Sequence, residues 1–555
     1  MITSLLIASM LAIGSPVQVE WMGGYDTGWY DEKGSEIAAW HSESRRLFVV
    51  NGAEGIEILD LTNPEAPKRV KHLRKFGVNS CAVHGNLLAA AVASHSKMAR
   101  GEIHFYDAVT LEPLGMVPGG YGPDMCTFTP DGRTLLVANE GEPTDDGMFD
   151  GPGSISIVDL SKGPAAATVR EAGFEAFDTP AGALKESGVH LVMPEILPSQ
   201  ELEPEFITID EAGRRAYVTL QENNAIAVID IQAARVLTIN PLGTKDHSKS
   251  GNGLDASDQD ERIAIRTWPV HGLYQPDSVV CWNHDGRTIL ATANEGEARS
   301  TTDFREAARI RDLRNPLTGK LILDPEAFPV LEVWEDGISV EDLVEDDAMG
   351  RLKVSTRVGD LDGDGDFDRL FTFGSRSFSL WEARPDGTLV QFYDSGDLIE
   401  RTVAEWMPKC FNCSHRSSPS RDSRSDDKGP EPEGLAIGMV GPRRLLFVGL
   451  ERPGGVLTID VTDPSTPELL DYAIRRDCSV DLDWDEDGDN IPDYLAAAGD
   501  LGPEGILFIP ADKAPGDTPL LVVCNEISGT TSVFSIREQI RTTTHTQSES
   551  TLTGF

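Results

Sequence analysis

The sequence predicts an all-β fold, a seven-bladed β-propeller with inserted loops and short helices, on three observations. One short phrase of residues recurs seven times along the chain. Where no insertion intervenes, the copies stand about 40–50 residues apart, the length that four strands and their turns require. Glycine and proline are abundant, 53 and 34 of 555 residues, as expected of many turns between short strands. The 40% hydrophobic and 7% aromatic content is ordinary for a packed globule. The formal charge of −43 opposes binding to nucleic acid or to an anionic membrane surface.

Each copy opens on an acid or its equivalent, runs into an apolar strand, turns, and enters a second apolar strand. The first two copies lack a leading proline: Ser35-Glu36 leads to Arg46–Asn51, and Val78-Asn79 leads to Leu87–Val92. Five copies carry it: Pro123-Asp124, Pro204-Glu205, Pro276-Asp277, Pro432-Glu433 and Pro503-Glu504. Their second strands end in Glu140, Glu222, Glu295, Glu451 and Glu526. A third strand with alternating Ile and Val follows in Gly55–Asp60, Ser154–Asp159, Ala225–Asp230 and Gly455–Asp460, a pattern suited to packing between neighbouring sheets. The period and strand grammar are those of WD40/YVTN-like repeats. The repeats occupy residues 20–537, with insertions expected at about 161–200, 300–365 and 408–432, and with helical text at Asp303–Leu313.

At the N-terminus, the apolar run Leu5–Ile13 followed by Gly14 and Ser15 reads as a signal peptide over residues 1–15, with a first core strand or a short anchor as the alternatives. The run is about half the length of a spanning helix, and no later segment reaches that length. Residues 541–555 form a polar tail. Together these features predict a secreted, periplasmic or otherwise extracellular chain with no integral span once mature. Of seven cysteines, Cys81, Cys126, Cys281 and Cys524 lie in strand-like text and are expected to be buried free thiols. Cys410-Phe-Asn-Cys413 with His415 reads as a local disulfide, with zinc or redox chemistry as the alternative.

Two acidic runs have the spacing of calcium loops. Asp360, Asp362, Asp364, Asp366 and Asp368 alternate around Gly363 and Gly365, which permit a tight curl about one hard cation. Asp485, Asp487, Asp489 and Asp493 repeat the pattern, with Asn490 in place of the second glycine because Asn tolerates left-handed backbone. A solvated acidic turn is the other reading of either run. The leading acids Glu36, Asp124, Glu205, Asp277, Glu433 and Glu504 would converge on the tunnel rim of a closed ring. There they would bind a cation, or cap backbone amides and lock neighbouring blades together. Against this acidic background Arg299, Arg376, Arg424, Lys428 and Arg452 are candidates to grip phosphate or carboxylate, or to neutralise the rim as ion pairs. The sequence contains no G-x-S-x-G elbow, no H-E-x-x-H and no phosphate-cradling glycine loop.

Eight segments in order carry a family resemblance: Gly253–Asp258, Trp268-Pro-Val, Tyr274–Asp277, Ala293–Arg299, Gly374–Trp381, Asp394–Asp397, Arg424–Gly434 and Asn525–Thr530. Together they resemble the choice-of-anchor I family, which includes mesenchyme-specific cell-surface glycoproteins and bacterial members labelled alkaline phosphatase. The resemblance implies an exported propeller held at a surface by a C-terminal device, and no such device is visible in this sequence. Two functions follow as expectations. One is a calcium-binding extracellular or surface-associated binding module with an unidentified ligand. The other is a metal-dependent phosphomonoesterase acting on a phosphate ester, with Glu433, Arg376, Arg424 and Lys428 as its catalytic residues.

Overall fold

The computed structural model describes residues 15–52, 54–179, 181–328, 342–486 and 490–539. The apolar run at Leu5–Ile13, the polar tail at 541–555 and the aspartates Asp487 and Asp489 lie outside the described residues.

The fold is all-β, and the described residues form seven antiparallel sheets of four strands beside two smaller sheets of three and two strands. In the first six, consecutive strands pair in chain order. The first sheet is Ala38–His41, Arg46–Asn51, Gly55–Asp60 and Lys68–Arg74. The second is Val78–His84, Leu87–Val92, Arg100–Asp107 and Pro113–Tyr121, and the third is Pro123–Phe128, Thr134–Asn139, Ser154–Asp159 and Thr168–Gly173. The fourth is Ile207–Ile209, Arg215–Leu220, Ala225–Asp230 and Arg235–Pro241, and the fifth is Val279–His284, Arg287–Asn294, Ser377–Ala383 and Leu389–Asp394. The sixth is Pro432–Val440, Arg443–Leu450, Val456–Asp460 and Glu468–Ala473. The seventh, Pro503–Ile509, Leu520–Asn525 and Thr530–Glu538, takes its fourth strand from the beginning of the chain, where Val17–Asp26 pairs antiparallel with Thr530–Glu538.

Alternating apolar residues give each sheet two buried faces, and each face finds a partner in the adjacent sheet. Phe48, Val50 and Ile58 of the first sheet pack with Leu88 and Ala90 of the second. The same arrangement continues between successive sheets up to the sixth and seventh, where Phe447 and Leu445 meet Leu521 and Phe534. A further core joins the seventh sheet to the first, with Val522 and Leu520 against Leu47 and Val49. The first strands of successive sheets also touch one another, including those of the seventh and first.

Two expected insertions differ from their sequence reading. Residues 161–200 include the fourth strand of the third sheet, Thr168–Gly173, so the added segment begins after it and holds the short helices Ala181–Glu186 and Pro198–Glu201. The text at Asp303–Leu313 is not an α-helix. Ala307–Arg309 pairs with Lys353–Ser355, and Ile310–Asp312 forms one 3₁₀ turn. Tertiary contacts override the local preference: buried Glu306 accepts from His190 Nε2 and Ser355 Oγ, each at 2.6 Å, while Ile310 and Leu313 enter a side core with Trp268, Met349 and Leu370. This lobe combines the insertion between the second and third strands of the fifth sheet with the segment that precedes that sheet, which supplies Leu254 and Trp268. Residues 408–431 hold no helix or strand, and the strand Pro432–Val440 follows directly.

The local Cys410–Cys413 disulfide is also overturned. Cys410 bonds Cys478, whose Cα lies 5.5 Å away, and Cys413 is a buried free thiol 4.0 Å from Cys478 Sγ. His415 turns to Glu451 instead of to the cysteines, so no zinc set of these residues forms. Cys81, Cys126 and Cys524 are buried free thiols, as expected, whereas Cys281 is free but only half-buried. Among the described residues no helix is long and apolar enough to cross a membrane.

Candidate functional site

The leading acid of each repeat stands where the first strand carries one residue more than its partner strand. The register slips between Pro123 and Cys126, Pro432 and Leu435, and Pro503 and Ile506, placing Asp124, Glu433 and Glu504 in bulges. In the other three acid-bearing sheets, two residues likewise share one partner: Glu36 and Ile37 bond Val50, Glu205 and Phe206 bond Thr219, and Asp277 and Ser278 bond Ala293. A bulge re-aims the side chain that occupies it. The preceding proline costs little there, because each of these is an edge strand of its sheet with no ladder partner for the missing N–H.

Adjacent sheets are tied together at the bulges. Gly505 N donates to the Glu36 carbonyl at 2.9 Å, Asn79 Nδ2 to the Pro123 carbonyl at 3.2 Å, and Thr219 Oγ1 to the Asp277 carbonyl at 2.9 Å. Ser278 Oγ donates to the Glu433 carbonyl. The glycine after the acid has a steric reason in two sheets. A Cβ on Gly434 would lie 1.9 Å from the Glu504 carbonyl oxygen, and one on Gly505 would lie 2.2 Å from that of Glu36.

Residues of all seven first strands or their leading turns, Glu36, Asn79, Asp124, Glu205, Asp277, Gly434 and Glu504 among them, line one cavity of about 480 Å³. It runs along the strands as far as Trp40, Phe508 and Lys513. A second set of acids, Glu140, Glu222, Glu295, Glu451 and Glu526, follows the second strands and stands beside the first set. The recurring Asn-Glu at these strand ends was legible in the repeat, yet these glutamates were missing from the sequence-predicted site. Two more acids, Glu203 and Glu431, precede the prolines of the fourth and sixth sheets.

Burial dominates the electrostatics of this cluster. It raises Glu205, Asp277, Glu433 and Glu504 well above the usual carboxylate range, and neighbouring carboxylates add to the effect. Asp124 and Glu203 are pushed up to about 6, Glu451 and Glu526 to about 7, and Glu222 and Glu295 to about 8, burial being the first cause in each. Burial and the carboxylates around it also raise Glu140 well above its ordinary value, and Glu36 rises despite Lys33 at 3.1 Å. Only Glu431 is held well below its ordinary value: burial pushes it up, but Lys428, Arg452 and Arg424 outweigh burial. Thirteen carboxyl groups thus gather against the five cations Lys33, Arg299, Arg424, Lys428 and Arg452. Like charges at this density must retain protons or take up cations.

The predicted anion-binding residues already have partners. Arg299 bonds Glu203 Oε1 at 2.5 Å and the Glu201 carbonyl at 2.6 Å. Lys428 Nζ contacts Glu295 at 2.6 Å, Glu431 at 3.0 Å and Glu297 at 3.1 Å. Arg424 holds Asp427 and Glu431, both at 2.9 Å. Arg452 reaches Glu431 at 2.7 Å and donates to His415 Nε2 at 2.6 Å. Since Arg can only donate, the imidazole proton sits on Nδ1, toward Glu451 at 2.8 Å. Burial and Arg452 keep this histidine neutral, lowering it to about 2. Arg376 stands apart from the carboxyl cluster, bonded to Glu400 at 2.6 Å and to the carbonyls of Asp255, Ser425 and Asp427 at 2.7, 2.7 and 2.8 Å. It props the loop that carries Arg424, Lys428 and Glu431.

The aspartate loops lie away from the cavity and are exposed. Asp360, Asp362 and Asp368 each bring an oxygen within 4.8 Å of the others. Gly363 N and Gly365 N donate to the two oxygens of Asp360, and Gly363 and Gly365 have φ of 82° and 99°. Asp364 accepts from Asp366 N at 3.2 Å, and the three grouped oxygens include neither Asp364 nor Asp366. The second loop repeats the wiring of the first. Leu361 N donates to Asp368 as Glu486 N does to Asp493, and Gly365 N donates to Asp360 as Asn490 N does to Asp485. Asn490 has φ of 67°, the left-handed geometry expected of it.

Comparison with known proteins matches the choice-of-anchor I domain to residues 36–464. Gigasin-3a of Magallana gigas is 35% identical over 208 residues, covering 37% of this chain and 70% of that protein. The mesenchyme-specific cell surface glycoprotein of Strongylocentrotus purpuratus is 29% identical over 356 residues, covering 57% of this chain but only 43% of its own length. Among solved structures, Kuenenia stuttgartiensis hydrazine synthase is similar at 13% identity and a TM-score of 0.43, over 92% of this chain and 98% of that one. The β-propeller domain of Myceliophteria thermophila Cps50 (Swd1) is similar at 9% identity and a TM-score of 0.41, over 93% and 99%. With that domain matched across more than half of its length, the chain belongs to the choice-of-anchor I family.

Proposed function

We propose that this chain is a calcium-binding, seven-bladed β-propeller acting as an extracellular or surface-associated binding module. The seven four-stranded sheets, the core between the seventh and the first, and the N-terminal strand that completes the seventh sheet support a closed ring. The name of the Strongylocentrotus purpuratus relative supports a place at the cell surface. The observation that carries the binding role is the gathering of carboxyl groups from five sheets, Glu36, Asp124, Glu205, Asp277 and Glu504, at a cavity that all seven line. Such a cavity favours cationic ligands and repels anionic ones. Calcium is assigned to the loops at Asp360–Asp368 and Asp485–Asp493, where it would tie down exposed turns.

The phosphomonoesterase reading has no comparable support. A phosphate clamp needs cations that can turn to the ester, and Arg299, Arg376, Arg424, Lys428 and Arg452 are each already engaged by carboxylates or carbonyls. The test is calcium titration of the purified full chain, read by calorimetry and by thermal midpoint, beside a chromogenic phosphate-ester assay. The proposal expects calcium-dependent stabilisation without turnover. No calcium binding would overturn the proposal, and turnover abolished by Glu433→Gln would replace it with the alternative.

A further inference from the structure

We infer that Asp277, Glu295 and Glu433 hold a divalent cation of the hard, oxygen-seeking class inside the protein, at a site separate from the aspartate loops. This deepens the binding-module reading and rests on it for the carboxyl-lined cavity. One oxygen from each of the three residues lies within 4.8 Å of the other two. Three oxygens bound to one ion at about 2.3–2.6 Å stand up to roughly 4.5 Å from one another, so small side-chain rotations bring all three onto one ion.

A second observation points to a ligand independently of the acidity. Glu433 is 8% exposed, and its Oε2 is buried with no hydrogen-bond partner. A buried carboxylate oxygen left without a donor is costly, and a cation supplies what the protein does not. The other groups are arranged to hold the ligands in place. Glu295 is oriented by Gln221 Nε2 at 2.7 Å and Lys428 Nζ at 2.6 Å, which leaves lone pairs on both its oxygens. Ser278, beside Asp277, donates to the Glu433 carbonyl and fixes the fifth sheet against the sixth. Ligands on two rigid sheets give a more exact site than ligands on a loop.

The neighbouring acid groups serve less well. Glu203, grouped with Glu140 and Glu222, is already paired with Arg299. Glu431, grouped with Glu295 and Glu451, already faces Lys428, Arg424 and Arg452. His415, grouped with Glu451 and Glu526, is held between Glu451 and Arg452. In the set of Asp277, Glu295 and Glu433, the single cationic contact is Lys428 on Glu295. All-oxygen ligands exclude the soft-metal class and favour calcium, with magnesium and manganese as its competitors. Asp277 also lines the 480 Å³ cavity, which gives an ion a route from solvent.

The test is calcium stoichiometry and affinity of the chelator-stripped full chain, by calorimetry and elemental analysis, for wild type, Glu433→Gln, Asp277→Asn and the loop variant Asp360→Asn/Asp368→Asn. The inference expects Glu433→Gln to lose one ion per chain or at least tenfold in the affinity of one ion, and the loop variant to retain that ion. Asp277→Asn should reproduce the loss, so one badly folded variant does not decide the matter. If both buried variants bind as wild type while the loop variant loses its ion, the internal site is wrong and the aspartate-loop assignment stands. If the loop variant binds as wild type and the buried variants lose an ion, the loop assignment fails and the internal site holds.

Discussion

Replacing Glu222 with glutamine should make the metal-free protein more stable at pH 8 while changing little at pH 5. Burial, reinforced by Glu203, pushes this carboxyl up to about 8 from its ordinary 4.5, and its Oε2 is buried without a donor. Between those two pH values the native state keeps a proton that the unfolded chain gives up, so stability is full below pH 4.5 and falls as pH rises toward 8. At roughly 1.4 kcal/mol per pKa unit, the loss from this group alone has a ceiling of about 5 kcal/mol. Its titration is shared with Glu140 and Glu203, so a change of about 2 kcal/mol is the lower expectation. Glutamine stays neutral throughout and can donate to the neighbouring carboxylates. Urea unfolding in chelator at pH 5 and pH 8, followed by tryptophan fluorescence, reads the difference directly. An equal loss of stability with pH in wild type and Glu222→Gln would refute the reasoning, as would a wild type more stable at pH 8 than at pH 5.

Three other outcomes follow from the same structure. Asp360→Asn should abolish the calcium-dependent rise in thermal midpoint contributed by its loop and leave the stripped protein unchanged, as differential scanning calorimetry would detect. Gly434→Ala, which drives a Cβ into the Glu504 carbonyl, should cost about 3 kcal/mol or more, whereas Gly182→Ala, with open space around it in a short helix, should be neutral or slightly stabilising in denaturant titration. Cys478→Ser should lower stability by about 2–4 kcal/mol and leave Cys410 alkylatable, while Cys413→Ser should preserve the Cys410–Cys478 linkage in a non-reducing peptide map.

The strands and the first set of acids were legible in the sequence because each is a local, repeated signal. The alternation in Gly55–Asp60 or Ala225–Asp230 is set by two buried faces, and it reads the same in every copy. The proline before Asp124, Glu433 and Glu504 marked the right residue, and its cause, a bulge on an edge strand, emerged only from the pairing. What was not legible depends on partners distant in sequence. Arg376 looks like a free guanidinium until Glu400 and three carbonyls surround it. Cys410 has a nearer cysteine at Cys413, but its bond runs to Cys478 across 68 residues of chain. The helical composition of Asp303–Leu313 gave way to Glu306, whose buried carboxylate is bonded to His190 and Ser355 in an extended segment.

The most direct measurement is anomalous diffraction from crystals of the full chain equilibrated with manganese. Convergence of the sheets on an internal cation site predicts a peak beside the carboxylates of Asp277, Glu295 and Glu433. Peaks confined to the exposed aspartate loops, with those three side chains turned away from one another, would contradict it.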